Sequence, residues 1–166
     1  MDSLQLKICD IQGRLFELSA LKQYGSAAFV KAFMTSNTAK ELDSGYNRMQ
    51  WAGEEYLLEE VADAAGNAIT VGGELFSKDM LYWIGYIYRY WHYHNGEDSA
   101  KIYKQAPVET MKRNYMMFHT MDPVLAIEDL KEIYRQKKVK SHNDGQIEKR
   151  GRISPPFFSA SFLCCV

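Results

Sequence analysis

Arg89 and His92 stand inside the aromatic run YWIGYIYRYWHYHNG, residues 82–96, in which Tyr82 to Tyr93 holds seven aromatic residues. A guanidinium can grip a carboxylate with two parallel hydrogen bonds. An imidazole changes charge near neutral pH. Tyrosine offers a broad apolar ring with a polar tip. Three arrangements use these residues differently. Tyr82, Tyr86, Arg89, His92 and Tyr93 could form a docking surface, because Tyr, Trp and Arg dominate the energetics of protein interfaces. Glu54, Arg89, His92 and Tyr86 could line an interior pocket for a small ligand or a reaction, with Glu54 and Arg89 as a buried ion pair. The third arrangement is a helix buried on both sides, each tyrosine hydroxyl finding its own hydrogen-bond partner.

Other chemistries find little purchase. His92 and His94 are two residues apart, so on a helix they point about 200° apart and cannot share a metal ion. TVGGELFS lacks the Lys-Ser/Thr that completes a phosphate loop. Cys9 has no base in view and reads as packing. His119 and Asp122 could pair, but Asp122 precedes Pro123 and reads as a helix cap. These patterns predict no catalytic residues, no metal and no cofactor.

The elements that must position these groups are helices. Leu4, Ile8, Ile11, Leu15 and Leu18 recur at three- and four-residue spacing over 3–24. Ser26 is placed to cap a short helix with Phe29, Val30 and Phe33, and SNTAKELDSG reads as another. Residues 49–65 predict a helix with Trp51, Leu58, Val61, Ala62 and Ala65 inward and Glu54 at its edge. Ser77 caps the aromatic helix, which stops at Asn95-Gly96. Within it Met80, Trp83, Ile84, Ile87 and Trp91 share an inward stripe. Tyr82, Gly85, Tyr86, Arg89, His92 and Tyr93 share the opposite face, with Gly85 letting another backbone approach. Pro107 suits the first position of a helix over 107–118. Asp122-Pro123 opens one over 122–137. The expected fold is mainly α, a bundle of about six to seven helices, with an irregular or hairpin segment near 67–76.

The chain has 166 residues, enough for one domain with its own core, and its composition is that of a soluble globular protein. Charge is uneven: residues 1–110 sum to −5 and residues 111–166 to +4. Three cysteines, Cys9, Cys164 and Cys165, without framework spacing argue against a disulfide-built secreted fold. No signal peptide or membrane span is visible, so the expected location is the cytoplasm. A single helical domain is expected over 1–138, followed by a basic then apolar tail, 139–166, that is poorly ordered. That tail lacks a nucleic-acid reading module, so nucleic acid is not the expected partner.

The segments LQLKICDIQGRLFELS, MQWAGEEYLLEE, LYWIGYIYRYWH, IYKQ and FHTMDPVLAIEDLKEIY, in this order over about residues 4–137, resemble a small uncharacterised bacterial protein family. Its members lie beside short genes for toxin-like proteins, some resembling ADP-ribosyltransferases. The resemblance implies an antitoxin-like factor that binds a toxin encoded nearby. It carries no catalytic residues over to this sequence.

Overall fold

The computed structural model describes residues 1–45, 52–69 and 71–150. Trp51, Cys164 and Cys165, and most of the expected tail, lie outside them. Eight α-helices occur among the described residues, rather than six or seven: α1 (Ser3–Leu21), α2 (Ser26–Met34), α3 (Asn37–Asp43), α4 (Glu54–Ala65), α5 (Lys78–Asn95), α6 (Ser99–Gln105), α7 (Val108–Phe118) and α8 (Pro123–Arg150).

Local chemistry sets most of the boundaries. Asp2 and Gln5 form a reciprocal capping box at the start of α1. The side chains of Ser36, Ser77 and Asp98 each accept the orphan N–H three residues on, opening α3, α5 and α6. Gly96, at φ +66°, closes α5 in the left-handed conformation that glycine adopts without a steric penalty. The Asp122 carboxylate accepts from Val124 N–H at 2.8 Å, ahead of Pro123 at the first position of α8. Two expected caps move. Gly25, not Ser26, precedes α2, and the Ser26 hydroxyl instead accepts from Phe76 N–H at 3.0 Å. Pro107 is the cap of α7 rather than its first residue.

The segment before α5 is irregular. A 3-10 turn spans Gly66–Ala68, and Tyr24 makes isolated bridges to Val71 and Gly72. The helix expected over 122–137 continues to Arg150. Residues Met1–Tyr134 form one compact unit and Arg135–Val166 a second.

The core is built on α5. Leu81, Ile84, Ile87, Tyr88 and Trp91 are buried along it. α1 packs antiparallel to α5, and α6 and α7 also lie against it. Phe16, Phe29 and Phe33 fill the space between α1 and α2, with Phe16 edge-on to both others at 5.6 and 5.1 Å. Edge-to-face rings add about 0.5–1.5 kcal/mol per pair beyond their burial. No helix among the described residues is long and apolar enough to cross a membrane.

Candidate functional site

The structure divides the expected site residues between two places. Arg89 is fully buried, so it cannot serve a docking surface. Its Nη1 donates to Asp43 Oδ1 at 2.7 Å, at the last residue of α3. Its Nε donates to Gln12 Oε1 at 2.8 Å, and the Gln12 amide donates in turn to the Gly85 carbonyl at 3.0 Å. Ser99 closes the network from α6: its hydroxyl donates to Asp43 Oδ1 at 2.8 Å and its N–H to Oδ2 at 2.7 Å. Four helices, α1, α3, α5 and α6, therefore meet at one guanidinium–carboxylate pair. Burying a charge is costly unless it is paired and hydrogen-bonded, and this network meets that requirement.

The expected Glu54–Arg89 pair does not form. Glu54 opens α4 and receives Arg14 Nε at 2.7 Å, while Arg14 also reaches Asp10 at 3.2 Å. An interior Glu54/Arg89/His92/Tyr86 pocket is not assembled either. Glu54 pairs with Arg14 on α1, whereas Arg89 turns toward α3 and α6.

His92 faces the same network from its edge. Its Nδ1 donates to the Glu97 carbonyl at 2.8 Å and lies 3.6 Å from Asp43 Oδ1. A carbonyl can only accept, so that contact puts the proton on Nδ1. Burial, with the Arg89 charge second, holds the imidazole below its ordinary value of 6.5; the Glu97 carbonyl and Asp43 oppose this without cancelling it. The sign follows. Below pH 6.5 the unfolded chain takes up the proton more readily than the folded one, so stability falls as pH drops. The melting temperature is expected to decrease from pH 7.5 to pH 5.5 by circular dichroism, and less so in His92→Gln. Burial alone would raise Glu97, but hydrogen bonds from Lys131 and Gln105 outweigh it and hold the carboxyl below 4.5. Its contribution is lost only in more acid solution, so the two groups separate in a pH series. An equal decrease in His92→Gln would show that His92 does not govern this window.

The tyrosines behave differently from Arg89. Tyr82, Tyr86 and Tyr93 are half-buried, and so is Tyr90, which the sequence reading leaves out. Tyr82 donates its hydroxyl to Asp10 Oδ1 at 2.8 Å, tying the ring to α1. The rings of Tyr82 and Tyr86 are 6.0 Å apart, Tyr86 and Tyr90 6.1 Å, and Tyr90 and the exposed His94 6.2 Å. These four side chains make a ladder along one edge of α5. Tyr93 stands apart beside Arg89, whose guanidinium carbon lies 5.9 Å from its ring centre. Its hydroxyl is buried without a hydrogen-bond partner among the described residues.

Cys9 is buried and its thiol is pushed up to about 12 by desolvation, so it is no nucleophile. Sequence reasoning misses Asp43, Ser99 and Gln12. Only Gln12 carries a signal: it falls in phase with Ile8 and Leu15, a polar residue inside an apolar stripe. Comparison with protein-family models, curated proteins and solved structures finds no match.

Proposed function

We propose that the protein is a non-enzymatic binding module, an antitoxin-like factor that neutralises a toxin encoded nearby by direct contact. The observation that carries this reading is the Tyr82/Tyr86/Tyr90 ladder. Its rings are half-exposed, yet they sit on a helix anchored by α1 and by the Arg89–Asp43 pair. A rigid aromatic surface loses little rotamer entropy on binding, which favours affinity. The net charge of −5 over residues 1–110 suits a basic partner surface and speeds encounter with it. The resemblance of residues 4–137 to an antitoxin-like family points the same way. Arg89 takes no part in the contact, because it is sealed inside.

Co-expression with the product of the adjacent gene is expected to give a complex that survives co-purification. Tyr86→Ala with Tyr90→Ala is expected to weaken it at least about tenfold, the loss of one strong aromatic anchor, while the melting curve stays cooperative. A complex of undiminished affinity in the double variant would remove the ladder from the contact. No complex with the wild-type protein would overturn the reading.

A further inference from the structure

A second group of rings meets the ladder at its lower end. Between α5 and α7 lies a cleft of about 220 Å³ lined by Asp79, Tyr82, Trp83, Tyr86, Tyr115 and His119. Tyr82 and Tyr86 stack on the α5 side. Tyr115 and His119 stack on the α7 side, 4.7 Å apart and 26° from parallel. Trp83 meets Tyr115 edge-on at 5.6 Å. Asp79, exposed in the first turn of α5, supplies the carboxylate. Asp79 and Tyr115 line the same cleft, and burial, with the negative charge of Asp79 second, raises the Tyr115 phenol above its ordinary value.

We propose that this cleft receives one cationic side chain, an arginine or lysine carried by a protein partner. Cations are attracted to the faces of aromatic rings, most strongly to Trp and Tyr, and a carboxylate beside the rings adds to that field. Among the described residues, no lysine or arginine lines the cleft. Two cations of the flanking helices α1 and α7 are committed elsewhere: Arg14 to Asp10 and Glu54, and Lys112 to Glu74 and the Phe76 ring. The chain itself uses the same chemistry, with Lys131 Nζ 5.9 Å from the Trp91 ring centre. Two observations favour a protein source over a free organic cation. The cleft shares Tyr82 and Tyr86 with the ladder proposed above as the partner's contact surface, so a partner seated on the ladder reaches it. Residues 1–110, which include Asp79 and the α5 walls, are net acidic. This inference rests on the binding-module reading above and names the chemistry of the partner.

The test uses the full-length protein and capped Gly-Gly-Arg-Gly-Gly, followed by backbone amide shifts in NMR. The same peptide with neutral citrulline in place of arginine, and tetramethylammonium chloride, serve as comparisons. Saturable shifts confined to the first half of α5 and to α7, with citrulline at least about fivefold weaker, are expected from the strength of a partly desolvated cation–π contact. Asp79→Asn and Tyr115→Leu should each weaken the arginine peptide by a similar factor, with melting curves recorded for both. Equal binding of the citrulline peptide, or shifts elsewhere, would overturn the proposal. Tenfold tighter binding of tetramethylammonium than of the arginine peptide would overturn the protein source. A complex with the neighbouring gene product that is indifferent to both variants would sink this inference and leave the binding module standing. Peptide binding without any such complex would do the reverse.

Discussion

Asp43→Ala is expected to destabilise the protein by roughly 3–5 kcal/mol, the usual cost of leaving one member of a buried ion pair without its partner. The Arg89 side chain is fully buried, and the Asp43 side chain is 10% exposed. Without the carboxylate, the guanidinium keeps the 2.8 Å bond to Gln12 and a 3.5 Å contact to the Ser99 hydroxyl. Neither carries a charge. Ser99 loses the acceptor for both its hydroxyl and its N–H, so the start of α6 loosens as well. Arg89→Met removes the other charge and leaves Asp43 buried but still bonded to Ser99, so it should cost less. The double variant Asp43→Ala/Arg89→Met removes both charges, and its loss should fall well short of the sum of the two single losses. Urea denaturation of the four proteins measures this directly. A loss below about 1 kcal/mol for Asp43→Ala would mean that the buried guanidinium is neutralised by some other group.

The same pair shows where reading the sequence stops. The punctuation of the helices is local and was readable: Ser77, Asn95-Gly96 and Asp122-Pro123 mark their boundaries through backbone groups a few residues away. The inward stripe Ile84, Ile87 and Trp91 follows from helical period alone. Arg89 is expected on an outward face because a two-face division supposes a single neighbour, whereas the expected approach of another backbone at Gly85 is met by α1. α5 has neighbours on several sides, α1, α6 and α7, so its more polar face becomes interior and requires polar partners there. Asp43 gives no sign of being that partner. It lies 46 residues from Arg89 and ends a short polar helix, where an aspartate reads as surface. The possible Glu54–Arg89 pair is not realised for the same reason, since the choice among carboxylates is made by tertiary packing; Glu54 instead sits in the first turn of α4, where the helix dipole favours a carboxylate. The aromatic cleft combines Asp79 with Tyr115 and His119, which only the packing of α7 on α5 brings together.

Gly85→Ala is expected to cost about 2 kcal/mol net, from a steric penalty at the upper end of the 1–3 kcal/mol range, offset by about 1 kcal/mol of improved helix propensity. A Cβ at Gly85 would lie 2.5 Å from the Gln12 carbonyl oxygen, 3.0 Å from the Gln12 carbonyl carbon and 3.0 Å from Gly13 Cα. All three are backbone atoms of α1, so no side chain can turn aside and the two helices must separate. That separation strains the Gln12 amide's bond to the Gly85 carbonyl and the Arg89–Gln12 bond beside it. The damage therefore reaches the buried ion pair without touching it. Gly13→Ala gives the contrast, because its Cβ would meet the Tyr82 ring at 2.8 Å and the Tyr82 carbonyl oxygen at 3.1 Å. The ring is half-exposed and can move, at the expense of its bond to Asp10, so the fold should suffer less and the Tyr82/Tyr86 stack more. Thermal melts rank the two variants, and near-ultraviolet circular dichroism reports the tyrosine environment. If Gly85→Ala proves as stable as the wild type, α1 and α5 do not approach as closely as these distances require, and the rigidity claimed for the tyrosine ladder goes with them.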